Sequence, residues 1–223
     1  MEITDALVTK LLSVVDAGLC QGIGVPTPGQ MCVEAAVCYA MDLPHSDTPS
    51  CVHPAVRRFK IALNDKAWSS NEARAKGMRE VAVAQLGSEN IDAAKFVQYV
   101  AEQTIRRIVP IVLRVAGLEA AALRCEREGT RESANAAANA AADAANAAAY
   151  AAAYAAAYAA ADAAAAYADA AAAYAADAAA YVANAAAKTK RRDEILALSA
   201  TIAVEALKVC GAAGVAYLSL CEK

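Results

Sequence analysis

Phenylalanine and tryptophan are nearly missing from this 223-residue chain, which has two Phe and one Trp beside nine Tyr. A core must therefore be built from Leu, Val, Ile and close-packed Ala. Basic excess is missing too. With 21 Lys and Arg against 24 Asp and Glu, the net charge is −3 and the pI near 5.5, which argues against nucleic acid or an anionic membrane as partner. Basic residues cluster at Arg57, Arg58 and Lys60, and at Lys188, Lys190, Arg191 and Arg192. Each cluster falls at a helix end or edge, where solvated cations are ordinary. Asp or Asn interrupts the alanine-rich part throughout, so no stretch reads as a membrane span. Met1 to Asp16 carries acids and has no unbroken apolar run, so we expect no secretory signal and a cytoplasmic location, in a bacterial host if the chain is phage-encoded. Seven Cys without paired spacing imply reduced thiols. Alternation of apolar and polar residues with β-branched enrichment is absent, which leaves an all-α fold.

What is present is helical punctuation. Thr4 can cap a first helix carrying Leu7, Leu11 and Val14 or Val15 on one face, ending at Gly18. Thr27, Pro28 and Gln30 read as a capping box with a first-turn proline, so a second helix is expected from there to Asp42. After the turn-rich loop from Pro44 to Ser50, Pro54 opens a helix with Val56, Phe59 and Leu63, broken at Asn64-Asp65. Ser69 and Glu72 suggest a further capping box, for a helix ending at Gly87. A long helix from about Asn90 should kink or end at Pro110, and Gly117 and Gly129 bracket a short one. Ile195, Leu198, Ile202 and Val209 form a stripe that Gly211 ends.

Between Ala134 and Ala187 nearly every residue is Ala, broken by single Asn, Asp or Tyr and by no Gly, Pro or Thr. Ice-binding alanine helices carry regularly spaced Thr, so that role is set aside. Asn135, Asn139, Asp143, Asn146, Tyr150, Tyr154, Tyr158 and Asp162 fall mostly four apart, and Tyr167, Tyr174 and Tyr181 fall seven apart. These spacings are helical. Unbroken, the array would be a rod of roughly 80 Å; a helical hairpin is the alternative, although no turn residue marks a fold-back. Each four-residue step moves the marked side chain about 40° around the helix, so the first half of the stripe winds while the second holds one line. Residues 1–129 are expected to form a helical bundle, 130–190 the array, and 191–223 a C-terminal helix packing back. An alanine seam needs close neighbours, so we expect a homo-oligomer unless the chain folds back on itself. The six tyrosines Tyr150, Tyr154, Tyr158, Tyr167, Tyr174 and Tyr181 are the candidate interaction surface.

Chemistry has three candidate places. Cys32, Glu34, Cys38, His45, Asp47, Cys51 and His53 lie close in sequence and include both histidines. Cys32 in the first turn of a helix, with His45 or His53 as base, would suit a thiol nucleophile. Cys32, Cys38 and Cys51 with His53 would suit zinc, but their spacings match no zinc motif. Buried small cysteines and capping histidines explain the same residues without chemistry. The third place is a pocket for a phosphorylated small molecule, lined by Arg57, Arg58, Arg74, Arg79, Arg106 and Arg107, if the helices bring them together.

Met31-Cys32-Val33-Glu34-Ala35 with Tyr39, then Ser46-Asp47-Thr48-Pro49-Ser50-Cys51-Val52 with Pro54, Phe59 and Asn64-Asp65, resembles a family of uncharacterised bacterial and bacteriophage proteins. The likeness covers roughly residues 26 to 90, and the alanine array with its C-terminal helix is similar to members of that group and to immunity-protein-like families. It implies a phage or prophage setting and the conflict between phage and host, and no catalytic residue. Taken together, these features lead us to expect a non-enzymatic helical binding or assembly protein without cofactor, engaging a host or phage partner. A nucleotide-signal sponge and a Cys/His enzyme are the alternatives.

Overall fold

The computed structural model describes residues 2–144, 147–163, 168–186 and 191–222. The Thr4 hydroxyl accepts the Leu7 amide at 3.2 Å and starts α1 (Asp5–Asp16). The helix expected from Thr27 begins later, as α2 (Val33–Ala40). Gly29 takes a left-handed φ of +84°, the Gln30 amide closes a turn onto the Thr27 carbonyl, and Gly24 pairs with Met31 in an antiparallel bridge. That turn uses up the proline signal, and the Cys32 thiol caps α2 instead. Next come α3 (Pro54–Asn64) and α4 (Asn71–Ala84). Ser70, one residue after the expected position, caps α4; Ser69 instead donates its amide (3.0 Å) and its hydroxyl to Asp193. Pro110 acts as expected. It separates α5 (Ala93–Arg107) from α6 (Val109–Val115), and α7 (Glu119–Glu128) ends at Gly129, where φ is +62°.

The array is not one rod. Thr130 and Ser133 close a reciprocal capping box that starts α8 (Arg131–Asp143), followed by α9 (Ala147–Ala163) and α10 (Ala168–Ala186). The Tyr158 and Tyr174 rings meet at 5.8 Å, so α9 and α10 run antiparallel. Ala160, late in α9, lines one small cavity with Thr130 and Arg131 at the start of α8, so these two are antiparallel as well. Propensity cannot foresee this folding, because alanine favours helix everywhere and no breaker marks a reversal. Burial decides it: an extended alanine rod leaves its methyls in water, whereas folded back it packs them against one another. Ala152, Ala153 and Ala156 of α9 and Ala172, Ala175 and Ala176 of α10 are all buried.

This alanine layer lies on a second one. α9 packs against α5 and α6, and α10 against α3, α5 and α11 (Arg192–Val209). A 3-10 segment, Ala213–Glu222, then docks on α4 and α1. One hydrophobic core runs through the bundle, the array and the C-terminal helix alike. Among the described residues there are eleven α-helices and no strand, and no helix is long and apolar enough to cross a membrane.

Gly77 sits mid-helix in α4 for a steric reason. A Cβ there would lie 2.4 Å from the Trp68 ring, which is buried and donates its indole N–H to the Leu63 carbonyl at 3.1 Å. We expect Gly77→Ala to push the ring outward and cost about 1–3 kcal/mol by overpacking. Trp68 is the only tryptophan, so a red-shifted emission with lowered thermal stability checks this, and unchanged emission counts against it.

Candidate functional site

The Cys–His cluster folds into scaffold. The Cys32 thiol accepts the Ala35 amide at 3.4 Å, and burial pushes its pKa up to about 11, outweighing the helix-terminus amides that lower it. A nucleophile needs the opposite shift. His53 Nδ1 accepts the Ala55 amide at 3.1 Å as the cap of α3, and the exposed His45 Nε2 lies 3.1 Å from the Gly24 carbonyl. Both histidines are thus engaged with backbone, as the capping alternative has it, and neither is hydrogen-bonded to Cys32. Cys51 Sγ rests 3.5 Å from Met41 Sδ, and burial raises the Cys38 thiol to about 11. Cys32, Cys38, Cys51 and His53 do not form a zinc site: among the described residues, no three His, Cys, Asp or Glu are placed to hold a metal.

Two expectations follow for the thiols. Cys32, Cys38, Cys51 and Cys125 are buried and Cys20, Cys210 and Cys221 partly exposed, so a maleimide at neutral pH should label at most three cysteines of the native chain and all seven after denaturation. Cys32, Cys38 and Cys125 each rise from an ordinary 9.0 to about 11. The folded state therefore keeps protons that the unfolded chain releases. Their contribution to stability is full below about pH 9 and is lost as pH climbs through 11. Urea midpoints across that range check it, and a flat profile would count against it.

Residues between Gly22 and Asp65 hold the N-terminal helices together. Asn64 is buried; its Oδ1 accepts the Val33 amide at 3.4 Å and its Nδ2 donates to the Cys20 carbonyl at 3.0 Å. Asp65 accepts the Gly22 amide at 2.8 Å, tying down the loop between α1 and α2. Glu34 and Lys60 meet at 2.8 Å with both side chains 0% exposed. That distance suits a hydrogen bond, but the alignment does not: neither Glu34 oxygen nor Lys60 Nζ makes a well-oriented one among the described residues. Burial pushes the Glu34 carboxyl up and the Lys60 ammonium down, each only partly offset by the other. Lys60 falls on the stripe of Val56, Phe59 and Leu63 at helical spacing, and that signal marks it as buried and not part of a basic surface.

The arginines are dispersed. Buried Arg74 donates to the carbonyls of Asn64 (2.8 Å) and Leu19 (2.9 Å) and to the Asn71 side chain (2.7 Å), acting as a clasp. Arg79 grips Asp16 at 2.7 Å and the Cys221 carbonyl. Arg106 crosses to the end of α7, where it donates to the carbonyls of Glu126, Arg127 and Glu128 at 2.7–2.9 Å. Arg107 meets Glu205 at 2.5 Å. Arg57 is half-buried near Glu34 and Arg58 is exposed on α3. Arg74, Arg79, Arg106 and Arg107 thus serve different elements, and the expected phosphate pocket is not assembled. A groove of about 450 Å³ does lie between α4 and α11, floored by Trp68, Gly77 and Ala200. Its rim sets Lys76 against Glu80, Asp193 and Glu194, a balance that repels phosphate.

The tyrosines do converge. Tyr150 stacks on Tyr154 at 5.6 Å between ring centroids and 16° between planes. Tyr154 meets Tyr158 at 4.6 Å, and Tyr158 crosses the hairpin to Tyr174. The winding stripe of α9 therefore delivers its last ring to the straight stripe of α10. Tyr181 lies seven residues beyond Tyr174 on the same face, and these five rings are 39–46% exposed. Tyr167 lies outside the described residues. The neighbouring hydroxyl of Tyr158 and partial desolvation raise the Tyr154 phenol to about 12, so the central ring of the α9 run is uncharged at neutral pH.

No protein-family model matches the chain, and no curated protein or solved structure is significantly similar to it.

Proposed function

We propose that this chain is a non-enzymatic helical binding protein whose working surface is the tyrosine face of α9 and α10. The observation that carries the reading is the unbroken run of ring contacts from Tyr150 to Tyr174, held in solvent by a layer made otherwise of methyl groups. Tyrosine brings large, rigid contact area at low entropic cost and dominates many protein interfaces. An isolated exposed ring needs no explanation, but a contiguous aromatic strip on a water-facing surface does. Cys32, both histidines and four of the six candidate arginines (Arg74, Arg79, Arg106 and Arg107) are engaged in the scaffold, which favours recognition over catalysis or ligand storage. The resemblance supports a phage or prophage setting with a host or phage protein as partner. Most of the described alanines of α9 and α10 are covered within one chain, so an assembly of copies would draw on the exposed tyrosine face.

Site-specific photocrosslinking in cells tests this. A benzophenone side chain at position 154 should give discrete adducts with a partner protein, or with a second copy, that a probe at exposed Glu132 does not. Equal labelling at both positions would sink the reading.

A further inference from the structure

Chemistry around the ladder narrows what could lie on it. Between Arg131 and Lys188 the sequence contains no Lys or Arg, yet it carries Glu132, Asp143, Asp162, Asp169 and Asp177. The layer that presents the rings thus brings only negative charge of its own. On α10, Tyr174, Asp177 and Tyr181 follow the spacing i, i+3, i+7, which places the carboxylate between two rings on one face. That carboxylate remains 45% exposed, and it already receives a cation: Lys66, from the turn after α3, reaches Asp177 Oδ1 at 2.8 Å. The faces of the rings are themselves sites of negative potential.

We propose that the tyrosine–aspartate face binds an arginine-bearing segment of a protein partner, guanidinium planes lying on the rings with Asp177 as counter-charge. The inference rests on the reading that the tyrosine face is the interaction surface. Arginine fits better than lysine. Its planar, weakly hydrated cation stacks on aromatic faces and still presents a fork to a carboxylate, whereas the compact ammonium keeps its water. Phosphate-bearing polymers and anionic membranes meet the wrong sign of charge.

The test uses the full chain and three synthetic peptides of equal length, alternating Gly with Arg, Lys or Gln, titrated calorimetrically at low and at physiological salt. We expect the Arg peptide to bind several-fold more tightly than the Lys peptide and the Gln peptide not at all. Tyr150→Leu with Tyr154→Leu, which leaves the Tyr158–Tyr174 contact in place, should weaken Arg-peptide binding about tenfold, while the matching Phe variants keep it within about threefold. These side chains are exposed, so unchanged helical circular dichroism will show that the variants fold. Undiminished binding to the Leu variant, equal affinity for Arg and Lys peptides, or no binding of the Arg peptide overturns the proposal. If photocrosslinks at position 154 persist but map to partner segments without Arg, this inference fails and the tyrosine-face reading stands. If they vanish, that reading fails first.

Discussion

Replacing Glu34 with Ala should lower the unfolding free energy by about 3–5 kcal/mol, because it strands the fully buried Lys60 ammonium without its counter-charge. Both members of the pair are fully buried, and burial already pushes each toward its neutral form. The Coulomb attraction at 2.8 Å therefore offsets the loss of hydration only in part. Removing one partner leaves that cost uncompensated. Removing both is different: Glu34→Leu with Lys60→Met should unfold at a urea concentration near the wild-type midpoint or above it, since nothing charged is left to solvate. Urea melts of the two single variants and the double variant form the check. If the double variant is as unstable as Glu34→Ala, the pair stabilises the fold outright and this account of it is wrong.

The alanine layer makes the second large prediction. Tyr158 stands opposite Tyr174, so Ala156 and Ala176 fall at the same level of the antiparallel hairpin, and both are fully buried. Alanine permits close helix approach because nothing projects past Cβ. Ala176→Leu adds three carbons where no space remains, forcing α10 away from α9 or the side chain into a poor rotamer. The expected cost is about 1–3 kcal/mol, even though leucine is nearly as good a helix former as alanine. Ala142→Leu, at an exposed site near the end of α8, should change stability by no more than about 0.5 kcal/mol. Equal thermal midpoints for the two variants would mean that the seam is looser than its burial implies.

Helix existence was legible in the residues and helix arrangement was not. Thr4, Pro54, Pro110 and Gly129 mark their boundaries through local chemistry that tertiary structure leaves alone. Thr27-Pro28 carried an equally good local signal, but Gly29 and the pairing of Gly24 with Met31 overrode it. The array was readable as helix and unreadable as three helices, since its reversals follow from burial alone. The cysteines looked chemical because thiols near histidines often are; only burial and the backbone partners of His45 and His53 distinguish a cap from a base. The Tyr158–Tyr174 contact joins residues of different helices, so no single helical period could reveal it.

Alanine against alanine has almost no preferred lateral offset, because one methyl row fits another equally well after a shift of one turn. The alignment of α9 with α10 therefore depends on the few side chains that are not alanine, chiefly the ring contact of Tyr158 with Tyr174, while the Lys66 hold on Asp177 fixes α10 against the turn after α3. Without that ring contact, the hairpin would face a ladder of nearly isoenergetic slipped alignments in place of one deep minimum. The same tyrosines that face outward thus select which of many equivalent alanine packings becomes the native one.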